Sequence, residues 1–243
     1  MTTRPAAGGG RWVDVDPERL TRWLDGFATR HGSLTSEPQP GRLCVVAADG
    51  AVAELHPPPG SGGGGDLAEF VAAANQERLL GLVLVRRGGA VVALAEGPRV
   101  VRSKVQSAYV QGRTAAGGWS QQRFARRRAN QARAAATGVA DVVARLLVAE
   151  ADRLAALVAG GDRGMVDMVL ADRRLAPLAA KLSSRFLDVP NPRQAVLPDA
   201  VRQARAVRVR LYEPPRPPAD EQSGAGRAAS GVPASMRRAA EEG

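Results

Sequence analysis

Residues 79–111 read LLGLVLVRRGGAVVALAEGPRVVRSKVQSAYVQ. Leu79–Val85 and Ala90–Ala95 are short apolar runs on either side of Arg86-Arg87-Gly88-Gly89, which predicts two strands joined as a hairpin. From Arg99 to Gln111 the pattern alternates. Val100, Arg102, Lys104 and Gln106 are interleaved with Val101 and Val105, so a third strand is expected to carry its cations outward. Helices are predicted on both sides of this stretch, so the fold class is α/β (α+β): a central mixed β-sheet with helices packed on its faces.

Upstream, Asp16-Pro17 followed by Leu20, Trp23, Leu24 and Phe27 supplies an N-cap, a first-turn Pro and a helical apolar stripe, ending by Gly32. Residues 42–48 and 51–56 flank Asp49-Gly50, a second hairpin signature. The Pro57–Gly65 stretch is a loop, and Asp66 is placed to cap a helix running to about Gln76. Downstream, the composition predicts helices over Gln121–Ala136 and Asp141–Val158 and a buried strand over Val166–Leu170. It also predicts helices over Arg173–Ser184 and Leu197–Ala204 and a last strand over Ala206–Tyr212. Four segments follow. Residues 1–10 are a disordered start, 11–60 an N-terminal helix and hairpin, 65–212 the main domain and 213–243 a disordered Pro/Gly-rich tail.

Composition narrows the chemistry. The 243 residues contain one cysteine, Cys44, and two histidines, His31 and His56. This argues against an internal disulfide, a cysteine zinc cluster or a Ser-His-Asp triad, and no metal or cofactor is expected. Residues 60–65 lack the Lys-Ser/Thr of a phosphate-binding loop. No apolar stretch of about 18 residues is present, so neither a membrane span nor a signal peptide is expected. The expectation is a soluble, monomeric protein of a reducing compartment, the cytoplasm.

Charge supplies the positive clue. The net charge is +10, yet Gly97–Ala140 contains no Asp or Glu and nine cations, while the remaining residues carry 25 cations and 24 anions. Arg is preferred to Lys throughout, so it is the missing acids that point to a polyanionic partner. At the centre lies Gly112-Arg-Thr-Ala-Ala-Gly-Gly-Trp-Ser-Gln-Gln-Arg-Phe-Ala-Arg-Arg-Arg-Ala-Asn-Gln131. Gly117 and Gly118 allow close backbone approach to a ligand, although a glycine pair alone more often marks a turn. Ser120 suits the N-cap of the next helix, whose first N–H groups are left without helical partners. Arg123 falls in that first turn, where the helix dipole disfavours a cation unless an anion docks there.

Arg123, Arg126, Arg127, Asn130 and Arg133 recur at helical spacing as one basic ridge. Phe124, Ala132 and Ala135 face the core, with Arg128 flanking it. Arg102 and Lys104 add cations from the third strand. Trp119 either anchors the loop or stacks on a base, and Arg113 orients the loop.

The segment Gly118-Trp119-Ser120-Gln121 resembles the Gly-x-x-Gln loop of release-factor-like peptidyl-tRNA hydrolases of the VLRF type. Ser107-Ala-Tyr-Val-Gln-Gly-Arg113, Gly117-Gly118 and the Arg-rich helix are similar to the actinobacterial branch. The likeness extends over about residues 65–212, with its specific part at 99–133. It implies a fold like the central Gly-Gly-Gln domain of eukaryotic and archaeal release factors, which is ribonuclease-H-like, with a protruding loop. It also implies an enzyme that hydrolyses the ester between a nascent peptide and the tRNA 3′ end.

The partners so implied are the ribosome (large subunit, rRNA) and peptidyl-tRNA, and the role is rescue of stalled chains. Gln121 is the implied catalytic amide, set up by Gly117 and Gly118. The Trp-Ser insertion leaves Gln122 as the other candidate. The actinobacterial branch that the sequence resembles is without the zinc-finger and ankyrin-type extensions of the eukaryotic members, so the resemblance does not imply their extraction-factor partners. A nuclease of the ribonuclease-H class needs clustered carboxylates for Mg²⁺, and the loop region has none. The other reading is a non-catalytic RNA- or ribosome-binding factor that uses the basic helix 121–136.

Overall fold

The computed structural model describes residues 3–107 and 120–214, and of residues 120–125 and 128 it describes the backbone. The chain opens with β1 (Thr3–Pro5) and β2 (Arg11–Val15), an antiparallel hairpin in which Thr3 pairs with Val13 and Pro5 with Arg11. Residues 3–10 therefore do not form the expected disordered start. The Gly8-Gly9-Gly10 run, with φ of 79°, 94° and 74°, makes the turn that returns the chain to pair.

After a 3-10 turn at Pro17–Arg19 comes α1 (Leu20–His31), which buries Leu20, Leu24 and Phe27. It ends at Gly32, as predicted. Next are β3 (Leu34–Gln39), β4 (Arg42–Ala47) and β5 (Val52–His56). The β4–β5 turn is the Asp49-Gly50 hairpin, with Asp49 Oδ1 accepting from Ala51 N at 2.9 Å. Asp66 caps α2 (Leu67–Asn75) by accepting from Glu69 N at 2.9 Å.

The quoted stretch folds as predicted into β6 (Leu79–Arg86), β7 (Gly89–Glu96) and β8 (Arg99–Ser107). Residues 108–111, expected in the third strand, lie outside the described residues. A bulge at Val101 interrupts the pairing between Val100 and Arg102, and on this edge strand Val101 and Val105 are exposed along with the cations.

Beyond β8 the expected helix and strand boundaries shift. α3 (Ser120–Leu147) is one continuous helix where two were expected. It passes through Gly138, which lies beside Gln106 of β8, whose Nε2 is 3.6 Å from the position of a Cβ. Residues 156–158, expected at the end of the second helix, open β9 (Ala156–Gly161). The expected strand at Val166–Leu170 is helix: α4 (Arg163–Leu170), capped by Asp162 Oδ1 accepting from Met165 N at 3.1 Å. The expected helix at Arg173–Ser184 is a 3-10 turn, the short α5 (Ala176–Ala179) and then β10 (Leu182–Leu187). α6 (Leu197–Arg205) and β11 (Val207–Tyr212) fall where the sequence puts them.

The strands form the expected central mixed sheet and, beside it, a second, antiparallel sheet. The order β10-β9-β6-β7-β8 is mixed, parallel among β10, β9 and β6 and antiparallel from β6 to β8. Helices cover both its faces. Val83, Val85, Val92 and Leu94 pack with α3 and α4, while Leu82, Leu84, Val91 and Ala93 pack with α6. The second sheet, β1-β2-β11-β5-β4-β3, is antiparallel throughout and packs one face on α1 and α2.

β11, read as the end of the main domain, thus lies between β2 and β5 and closes the N-terminal sheet. Arg185 ties the two sheets together. Buried on β10, it donates through Nη1 to the carbonyls of Ala204 (3.0 Å) and Ala206 (2.6 Å) and through Nη2 to that of Pro57 (3.3 Å). Burial lowers its pKa to about 9. The tail expectation begins at Glu213, which pairs with Arg11 at 2.9 Å, and from residue 215 it lies outside the described residues.

Candidate functional site

The mixed sheet sends four strands the same way. β6, β9 and β10 are parallel, and β8 runs with them because both β6 and β8 are antiparallel to β7. Their carboxyl ends, at Arg86, Gly161, Leu187 and Ser107, therefore meet at one end of the sheet. α3 runs against them. Gly138 sits by Gln106 near that end, and Leu147 reaches over Gly81 near the other.

Among the described residues of α3, burial is confined to the second half. Ala136, Val139, Ala140, Val143 and Leu147 are in the core, and each buried Val or Leu contributes about 1.5–3 kcal/mol. Ala132 and Ala135 pack partly against it, as expected from the sequence. Before Ala132 every residue whose burial is described is exposed. From Ser120 to Ala132 the rise is about 18 Å at roughly 1.5 Å per residue, so a long helical segment extends beyond the sheet.

That segment carries the basic ridge. Arg126, Arg127, Asn130 and Arg133 are exposed, and Arg133 Nη1 donates to Asn130 Oδ1 at 3.2 Å. Arg126, Arg127, Asn130 and Gln131 line one open surface depression with Ala134. Among the described residues no carboxylate lies within ion-pair distance of Arg126, Arg127 or Lys104. Lys104 is exposed on β8, on the sheet face that α3 packs against. Arg102 differs. It is paired with Glu150, beyond the acid-free stretch, which also holds Arg153 at 2.8 Å. Arg102 is thus engaged by a carboxylate that it shares with Arg153, which the sequence window could not reveal.

Ser120, Gln121, Gln122 and Arg123 form the first turn of α3, and Arg128 lies farther along the exposed half. The side chains of these five residues and of Phe124 lie outside the described residues, as do Arg113, Gly117, Gly118 and Trp119 entirely. The sequence reading also missed Asp141. Arg174 Nη1 is 2.7 Å from Asp141 Oδ1 and its Nη2 is 2.7 Å from Asp172 Oδ2, which fixes α3 to the turn after α4. Hydrogen bonds from Arg174 hold the Asp172 carboxyl down at about 2.

Among the described residues there is no group of three or more His, Cys, Asp or Glu side chains placed to hold a metal ion. Among them, too, no helix is long and apolar enough to cross a membrane.

The family of the Actinobacteria/chloroflexi VLRF1 release factor matches residues 78–210, which is more than half of the chain and runs from the start of β6 into β11. The chain belongs to this family. Within the VLRF1 match lie the whole mixed sheet and α3, while α1, α2 and five of the six strands of the second sheet precede it.

No curated protein matches the chain. Solved structures similar to it include the following three. An archaeal protein is 18% identical, covering 77% of this chain and 56% of its own, with a TM-score of 0.37. The archaeal translation termination factor aRF1 is 14% identical, covering 79% and 65%, with a TM-score of 0.37. Archaeoglobus fulgidus Pelota is 12% identical, covering 84% and 66%, with a TM-score of 0.29. The chain thus spans 56% and 65% of the lengths of the first two.

Proposed function

We propose that this VLRF1-family chain is a ribosome-associated peptidyl-tRNA hydrolase acting in the cytoplasm. In this reading it engages the large subunit, cleaves the ester between a nascent peptide and the tRNA 3′ end, and so frees stalled chains. The observation that carries the reading is the exposed half of α3. This half of the helix has no acid, its Arg126 and Arg127 meet no carboxylate among the described residues, and it extends past its own sheet, an arrangement well suited to RNA phosphate. Family membership supports the same assignment.

The chemistry suits a neutral amide. Gln121 does not titrate near neutral pH, so it positions the attacking water with its carbonyl acceptor and N–H donors rather than deprotonating it. Its backbone N–H, in the first helical turn, is free of an intrahelical acceptor and available to the developing oxyanion. Water adds to the ester carbonyl, and the tetrahedral intermediate expels the ribose 3′ oxygen. The water's proton passes to that oxygen through the neighbouring 2′-hydroxyl, leaving a peptide carboxylic acid and a free tRNA end. Gly117 and Gly118 let the loop enter a narrow pocket, with Arg113, Trp119 and Ser120 supporting it.

The experiment is peptide release from large-subunit-bound peptidyl-tRNA by wild type, Gln121→Ala and Gln122→Ala. Release lost in Gln121→Ala and kept in Gln122→Ala supports this reading. Binding without turnover by wild type would favour a non-catalytic RNA-binding factor instead.

A further inference from the structure

α4 begins with a cation that neither ion pairing nor helix electrostatics explains. Arg163 is the first residue of α4, where the dipole disfavours positive charge. The neighbouring carboxylate, Asp162, uses Oδ1 to cap the Met165 N–H, and among the described residues no acid lies within ion-pair distance of Arg163. Its guanidinium instead lies 4.2 Å above the centre of the Phe186 ring on β10, and the residue remains exposed. Stacking orients a guanidinium while leaving its N–H edge free to donate, an arrangement suited to phosphate oxygens.

The position of Arg163 links it to the basic ridge. Asp141 of α3 reaches Arg174, just after α4, so the row Arg126–Asn130–Arg133–Thr137–Asp141 faces the α4 side of the sheet. Followed back toward the start of α3, that row leads to the sheet end where α4 begins, because Gly161 is in register with Val85 there. Arg87 stands at the same end, in the exposed turn between β6 and β7. Its neighbour Arg86 is occupied by Asp188 at 3.2 Å, whereas Arg87 meets no carboxylate among the described residues.

We propose that Arg163 and Arg87 form a second grip on the RNA phosphate backbone, continuing the cationic row of α3 around the end of the mixed sheet. The inference rests on the reading of the chain as a factor that engages ribosomal particles.

The test is equilibrium binding of the full chain to purified large subunits and, separately, to deacylated tRNA between 50 and 200 mM KCl. The proteins compared are wild type, Arg163→Ala, Arg87→Ala and Arg126→Ala/Arg127→Ala. Each single variant is expected to flatten the log–log salt slope by about 0.7–0.9, the share of one phosphate contact. A change confined to large subunits assigns the contact to rRNA, and one confined to tRNA assigns it to the substrate.

If both single variants keep the wild-type slope on both RNAs while Arg126→Ala/Arg127→Ala flattens it, this proposal is overturned and the wider reading stands. Wild type that binds neither RNA would sink both together. Arg87 lies in an exposed turn, so its variant keeps the test decisive should loss of the Arg163–Phe186 stack impair folding.

Discussion

Arg174 Nη1 stands 2.7 Å from Asp141 Oδ1, and the other arm of the same guanidinium holds Asp172. One side chain thereby joins α3 to the turn that follows α4. The buried face of α3, Ala136, Val139, Ala140, Val143 and Leu147, sets which side meets the sheet, and so which way the exposed arginines point. The half-exposed ion pair adds a weaker, specific tie to the same orientation.

Asp172 gives that clamp a pH signature. Its carboxyl is held down at about 2 by the hydrogen bonds from Arg174, below the ordinary aspartate value near 3.8. A lowered carboxylate stabilises the fold above the unfolded value, and the contribution disappears as pH falls from about 4 to about 2. Urea unfolding across this window should show a stability loss that Asp172→Asn reduces. An unchanged profile in the variant would remove Asp172 from the account.

His56 predicts a second window with a different cause. Burial lowers its pKa from the usual value near 6.5, the nearby arginines adding to the effect and Glu54 opposing it. The unfolded chain takes up the proton first, so stability falls as pH drops through about 6.5. His56→Gln should flatten the pH dependence of the unfolding midpoint between pH 7 and pH 5, and an unchanged dependence in the variant would remove His56 as its source.

The free and the paired arginines should behave differently. Arg126→Ala/Arg127→Ala is expected to weaken RNA binding and to flatten the salt slope by roughly 1.4–1.8, two phosphate contacts' worth. Arg102→Ala should leave the slope unchanged, because Glu150 already engages that side chain. Equal effects from the two variants would show that pairing does not sort these cations.

Arg185→Met tests how the two sheets are joined. The substitution leaves the carbonyls of Ala204, Ala206 and Pro57 without their buried donor. A loss of about 3–5 kcal/mol in unfolding free energy is expected, as for breaking a buried charged network. A change under about 1 kcal/mol would mean that apolar packing alone joins the sheets.

Turn chemistry and capping were the most legible features. Asp49-Gly50 and Arg86–Gly89 identify two of the hairpins, Asp66 caps its helix, and Asp16-Pro17 marks the 3-10 turn that leads into α1, though without a side-chain cap bond, because each acts within a few residues. Errors arose where local pattern is ambiguous. Val166–Leu170 looks like a buried strand, yet Asp162 caps a helix there that buries Met165, Val166 and Val169 and exposes Asp167 and Met168. β3 (LTSEPQ) has little apolar content because it is the exposed edge of its sheet, and nothing local marks it as a strand.

The place of β11 in the N-terminal sheet depends on pairing with residues some 150–200 positions away, which no local signal reports. At the candidate site, the missing acids foretold an exposed basic helix, and Ala132 and Ala135 foretold its inner face. The engagement of Arg102 could not be foreseen, since its partner Glu150 lies 48 residues away and outside the acid-free stretch.

The central claim is that Gln121 acts by positioning water, and single-turnover peptide release from large-subunit-bound peptidyl-tRNA tests it most directly. Gln121→Ala should bind those particles as wild type does yet release peptide about a hundred- to a thousandfold more slowly, the range for losing a preorganised group at the reacting carbonyl. Release at the wild-type rate from Gln121→Ala, with binding intact, would contradict the account.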